Sequence, residues 1–181
     1  MNRKLSMEEL GRPSGAEFRD MKKIPVVVVL ENVRSASNVG SVFRTADAFA
    51  IEKIFLTGYT ATPPHRDILK TALGATESVD WEYNESSIAL IEGLKAAGYT
   101  ILCVEQTTNS ISLEKFDVQN DQKLVLIFGN EVDGVASETL LRAHNCLEIR
   151  QHGTKHSLNV SVCAGIVLFH LSVQFHELGT T

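Results

Sequence analysis

A chain of 181 residues that is 44% apolar and 22% charged has the make-up of one average domain with a sizeable core, which excludes disordered and collagen-like classes. Its 17 Lys and Arg against 22 Asp and Glu give a net charge of −5, and that argues against non-specific coating of nucleic acid. Three scattered cysteines, Cys103, Cys146 and Cys163, form no C-x-x-C and read as reduced core thiols, not as a disulfide framework or zinc site.

Residues 1–23 lack clean periodicity and carry Gly11, Pro13 and Gly15, which predicts a flexible or short helical arm. The arm is basic: Arg3, Lys4, Arg12, Arg19, Lys22 and Lys23 face only Glu8, Glu9, Glu17 and Asp20. It has no apolar signal-peptide segment, so a cytosolic protein is expected, with one domain over 24–181. Pro25 then precedes V-V-V-V-L, a β-branched run without alternation, which predicts a strand buried on both faces in a parallel sheet. A polar turn spans Glu31 to Asn38. From there to Ala50 the residues Val39, Val42, Phe43, Ala46 and Phe49 recur at helical spacing. Lys53–Thr57 predicts a strand, Asp67–Leu73 a short helix ending at Gly74, and Ser78–Tyr83 a strand. Ser86–Ala97 is an amphipathic helix stopped by Gly98, and Tyr99–Val104 a strand. A polar connection covers Gln106–Asp121, followed by a buried strand at Lys123–Phe128 and a helix near Ser137–Ala143. Leu147 and Ile149 mark the last strand. Ser157 is the expected N-cap of a final apolar helix. The apolar run Val162–Phe169 stops at His170, short of the ~20 residues of a membrane span, so no membrane partner is expected. Strands alternating with helices predict an α/β domain with a mainly parallel sheet flanked by helices.

Three polar loops each follow a predicted strand: N-V-R-S-A-S-N-V-G-S-V-F-R after Leu30, G-N-E-V-D-G-V after Phe128, and R-Q-H-G-T-K-H-S-L-N after Ile149. In a parallel sheet all three emerge at the carboxyl edge, where side chains converge on one ligand. No G-x-G pair, P-loop or G-x-S-x-G elbow is present, which disfavours a dehydrogenase, NTPase or esterase. His152 and His156 stand four apart but flank Gly153 in a loop without an obvious third ligand, so no metal is expected. Arg44, on an otherwise apolar helix, has two readings: a surface partner of Asp47, or a guanidinium aimed at a phosphate. Asn130 and Glu131 are turn residues or orient that arginine. Asn159, placed in the first turn of the final helix, needs a specific partner for its amide.

Together these residues resemble the SpoU/TrmH family of RNA 2′-O-ribose methyltransferases, in the SPOUT class. Asn38, Gly40, Arg44 and Ala46 match the family's first motif, N-x-G-x-x-x-R-x-A. Gly129, Asn130, Glu131 and Gly134 match the second, G-N-E-x-x-G. Ile149, Gly153, Ser157, Leu158, Asn159, Val160 and Ser161 match the third. Arg150 stands where the family has proline, and Cys163 where it has alanine.

The resemblance implies a SPOUT fold with a C-terminal trefoil knot, a homodimer with its site near the subunit interface, and S-adenosylmethionine as cofactor. It implies cofactor contacts through Gly129, Ile149 and Leu158, with Asn130, Gln151 and Ser157 beside them. Arg44 is implied as the catalytic residue, with Asn38, Glu131, Ser157 and Asn159 completing the set. Because arginine stays protonated, it is expected to grip a phosphate and stabilise an alkoxide, not to act as a base. The implied substrate is a ribose 2′-hydroxyl of tRNA or rRNA. No separate RNA-binding domain is read before Pro25, which leans toward tRNA. The alternatives are a non-catalytic RNA-binding or regulatory protein on the same fold, with Arg150 its first sign of decay, and a generic flavodoxin-like protein.

Overall fold

The structure, a computed structural model, describes residues 2–6 and 8–179; the expected arm at Met1 and Met7 and the domain end at 180–181 lie outside the described residues. The elements are α1 (Gly15–Asp20), β1 (Ile24–Glu31), α2 (Ala36–Ala48), β2 (Ile51–Thr57), α3 (Arg66–Ala72), α4 (Ala75–Ser78), β3 (Trp81–Asn84), α5 (Ser87–Ala96), β4 (Thr100–Val104), β5 (Ile111–Ser112), β6 (Leu124–Phe128), α6 (Ser137–Leu140), β7 (Asn145–Glu148) and α7 (Val160–Glu177). The strands form one parallel sheet in the order β3-β2-β1-β6-β4-β7-β5. The unalternating runs of β1 and β6 sit side by side at its centre, Val26–Leu30 in register with Leu124–Phe128. Alternate residues of each feed two cores: Val28 and Leu126 belong to one, Val29 and Ile127 to the other.

The larger core lies under α2 and α7. Gly40 of α2 is there because the helix crosses α3 too closely for a side chain: a Cβ would stand 2.4 Å from the Ile68 carbonyl oxygen. At the far end of α2, Phe49 packs on Phe169 with ring centroids 6.0 Å apart. The sequence arm is helical over α1, closed by a Ser14–Glu17 capping box, and Phe18 joins the core.

Several boundaries differ from the sequence reading. Helix α2 starts at Ala36, not Asn38, because Ser35 caps it by accepting the Asn38 N–H. The strand expected from Ser78 begins at Trp81, since Ala75–Ser78 form a helical turn after Gly74. The connection after Gln106 contains a short edge strand, β5, paired with β7. Ile149 lies just past β7.

The final helix corrects the Ser157 expectation. It opens at Val160, and its N-cap is Asn159, whose Oδ1 accepts the Ser161 N–H at 2.9 Å and the Val162 N–H at 3.4 Å. The helix also runs past the apolar stretch to 18 residues, long and apolar enough to match a membrane span, with mean hydropathy 1.3. Its residues Ala164, Val167, Leu168, Leu171 and Phe175 nevertheless pack into the core.

The cap assignment predicts that Asn159→Ala lowers unfolding free energy by about 1 kcal/mol in urea denaturation, whereas Ser157→Ala changes it little. Equal losses in the two variants contradict the assignment.

Candidate active site

All three polar loops leave the same sheet edge, and side chains from each tie them together. Glu131 accepts the backbone N–H groups of Arg34 (2.9 Å) and Ser35 (3.0 Å) and the Asn38 side-chain amide (3.0 Å). One carboxylate thus satisfies donors around the start of α2, where the helix dipole also favours negative charge. Asn38 in turn accepts from the Asn159 amide at 3.1 Å, and Asn159 caps α7. The result is a relay, Glu131–Asn38–Asn159, from the second loop through the first to the third. Partial burial works to raise the Glu131 carboxyl, but hydrogen bonds from the Arg34 N–H, the Asn38 amide and neighbouring backbone outweigh it and hold it below the usual carboxylate range.

The second loop is shaped by Asn130. Its Oδ1 accepts the N–H groups of Val132 and Asp133, and its amide donates to the Asn32 carbonyl and the Tyr59 hydroxyl, both at 2.8 Å. Every polar atom of this buried side chain is used. Gly129 is required by the fold-back it permits, since a Cβ there would meet the backbone of Gly134 and Val135 at 2.2 Å. Beneath, the buried Glu31 at the end of β1 accepts the Ala136 N–H (2.9 Å) and the Thr139 hydroxyl (2.6 Å).

Between the second and third loops lies a cavity of about 480 Å³. The structure places Gly129, Asn130, Ile149, Gln151, Ser157 and Leu158 all in its wall. Glu131 lines it as well, while Asn38 and Asn159 stand behind Glu131 in the relay. Arg44 is not brought there. It lies with Ser37 and Ala48 on the exposed side of α2 and makes no hydrogen bond or ion pair among the described residues. The Asp47 pairing is not formed either, because Asp47 accepts the Ser78 hydroxyl instead. Nor does Glu131 or Asn130 orient the guanidinium, their oxygens being committed to the contacts above.

Sequence reasoning missed Glu105 and Gln106, which line the cavity from the end of β4. Glu105 accepts the Val135 N–H at 3.1 Å and the Gln106 amide donates to the His156 carbonyl at 3.0 Å. The signal was available: both follow a predicted parallel strand, like the other three loops. Burial, helped by the Glu105 charge, pushes the Cys163 thiol in the wall up to about 11, so it is protonated and no nucleophile near neutrality. Among the described residues no three His, Cys, Asp or Glu side chains come together as a metal site.

The cavity's size lies in the roughly 300–1,000 Å³ range of small-ligand sites. From Arg150 to Leu158 the chain makes a single hydrogen bond among the described residues, the one accepted by His156, so its other backbone groups are open to a ligand. Apolar walls from Val104, Leu140 and Leu147 face carboxylates of Glu105, Glu131 and Glu148. A lining of apolar walls and acceptor carboxylates suits a flat heterocycle joined to a cationic group.

The SpoU rRNA Methylase family model matches residues 25–169. The chain belongs to this family. A tRNA (guanosine(18)-2′-O)-methyltransferase of Aquifex aeolicus is 27% identical over 164 residues, covering 90% of this chain and 76% of that protein. The solved A. aeolicus TrmH/SpoU tRNA modifying enzyme has the same fold, with a TM-score of 0.82 at 24% identity over 92% of this chain and 84% of that one. An AdoMet-bound rRNA methyltransferase from Sinorhizobium meliloti aligns with a TM-score of 0.78 at 27% identity, covering 89% of this chain and 60% of that one. The chain spans about two thirds of the length of the first relatives it matches. For this SpoU-family member, the parallel sheet and flanking helices are thus the family fold, and S-adenosylmethionine (a purine carrying a sulfonium and an amino-acid tail) has the chemistry that its cavity offers.

Because Glu131 is held below its ordinary value of 4.5, its stabilising contribution is complete above that pH and is lost as pH falls through the lower folded-state value. The stability difference between wild type and Glu131→Gln is therefore constant near neutrality and shrinks on acidification below about 4.5 in pH-dependent urea melts. A difference that does not vary with pH contradicts the assignment.

Proposed function

We infer that this protein is an S-adenosylmethionine-dependent RNA methyltransferase that modifies a ribose 2′-hydroxyl of tRNA or rRNA. The observation that carries the reading is the cavity whose wall the second and third loops build with Gly129, Ile149, Gln151, Ser157 and Leu158, buttressed by the relay from Asn38 of the first. When bound, the cofactor supplies an electrophilic methyl group on a sulfonium. The protein's own task is to align that carbon with the sugar oxygen and to stabilise charge as the proton leaves. Glu131, Asn38 and Asn159 fix the loops in register, and backbone groups of Ile149 to Leu158 would hold the cofactor.

Arg44 is assigned to the phosphate beside the target ribose, where its guanidinium stabilises the developing alkoxide. Its distance from the cavity within one chain fits a site completed across a dimer. The exposed stripe Val162, Ile166, Phe169 and Val173 on α7 supports dimer formation, because these residues share one helix face and leave apolar area open. Phe169 packs on Phe49, the C-cap of the helix that carries Arg44, so a second copy on that stripe would lie beside the end of that helix. A C-terminal trefoil knot is also proposed. Its support is that β7 inserts between β4 and β5, which residues 105–110 join, so the chain leaving Glu148 exits past that connection.

The test is transfer of labelled methyl to unfractionated tRNA and to rRNA, with S-adenosylmethionine affinity measured separately. Arg44→Ala is expected to lower kcat by ~10²–10³-fold with cofactor affinity unchanged, and Arg44→Lys to fall as well because the planar fork is lost. Near-normal turnover in either variant contradicts the Arg44 role. Undetectable affinity of the wild-type protein for S-adenosylmethionine favours the non-catalytic reading.

A further inference from the structure

We propose that Tyr59 is the platform on which the base of the target nucleotide stacks, a role that rests on the RNA methyltransferase reading above. Tyr59 stands two residues beyond β2 at the same carboxyl edge, and it is 61% exposed. Despite that exposure the residue is held at two points. Its backbone N–H donates to Asn32 Oδ1 at 3.2 Å, and its side-chain hydroxyl accepts from the Asn130 amide at 2.8 Å. Asn130 lines the cofactor cavity, so the ring is anchored one residue away from Gly129 and Glu131 and opens outward from them. The neighbouring Tyr83 braces the turn from the other side by donating to the Gly58 carbonyl at 3.0 Å.

The loop does not need an aromatic residue here for its own packing. Thr60 performs that service: it is 4% exposed, accepts the Val33 N–H and donates to the Leu30 carbonyl, both at 2.9 Å. What Tyr59 adds is a flat, solvent-facing surface held in a fixed orientation. A ribose inside a paired helix is hard to reach, so a nucleotide presented to this edge must be unstacked from its neighbours, and an aromatic ring restores the lost stacking. Because the ring is already immobilised, little further ordering is required on contact. The Arg34 side chain, exposed on the adjoining loop and without a partner among the described residues, sets a cation beside this surface for the flanking phosphate.

The test compares Tyr59→Phe and Tyr59→Ala with wild type in steady-state methyl transfer, using whichever of unfractionated tRNA or rRNA the wild-type protein methylates. Cofactor affinity and thermal stability are measured alongside. Tyr59→Ala is expected to raise KM for RNA about 10- to 100-fold with cofactor affinity unchanged, and Tyr59→Phe, which keeps the ring but loses the hydroxyl that anchors it, to raise KM by clearly less than Tyr59→Ala. A wild-type KM in Tyr59→Ala overturns the stacking role alone. Equal damage in both variants, with weakened cofactor binding, overturns it in favour of a hydroxyl that merely supports Asn130. Failure of the wild-type protein to methylate either RNA overturns the parent reading and this one with it.

Discussion

The site depends on one carboxylate. Glu131 is where an acidic side chain from the second loop meets backbone donors at the start of α2, and it grips the Asn38 amide at the same time. Asn38 has one donor and one acceptor end, and both are used: it donates to Glu131 and accepts from Asn159. Asn159 is likewise divided between Asn38 and the first turn of α7. Short, directional polar contacts therefore link segments more than 90 residues apart in sequence. A sheet edge made of three independent loops would leave the geometry of a methyl transfer to chance. Here the loops share hydrogen bonds, so moving one disturbs the next.

The sheet was legible because its strands are buried on both faces. Runs such as Val26–Leu30 and Leu124–Phe128 admit no amphipathic reading, and their carboxyl ends identify the edge where ligands bind. The motif residues were legible for a different reason, since each does something only its own chemistry allows. Gly129 permits a fold-back that a Cβ would block, Gly40 permits a helix crossing, and Asn130 closes a turn with both ends of its amide.

What escaped the sequence is what depends on distant partners. Both Ser157 and Asn159 are good capping residues; Asn159 takes the role where its amide also reaches Asn38. The two-residue β5 has too few residues to show periodicity and exists because β7 offers it an edge. Glu105 and Gln106 follow a predicted parallel strand, but they stand at a polar connection with no motif to mark them, so their place in the cavity wall shows only in the fold. Tyr59 lies between the predicted strand at Lys53–Thr57 and the predicted helix at Asp67–Leu73, where no motif marks it. Arg44 is the reverse case: the motif names it clearly, yet one chain alone leaves it facing solvent on α2.

A double-mutant cycle between Glu131→Gln and Asn159→Ala, read as the dissociation constant for S-adenosylmethionine, tests the relay most directly, because the two residues touch only through Asn38. If the three loops act as one unit, the effects are non-additive, with a coupling energy above about 0.5 kcal/mol. Additivity within roughly 0.3 kcal/mol would mean that each loop holds its own shape, and would contradict the account.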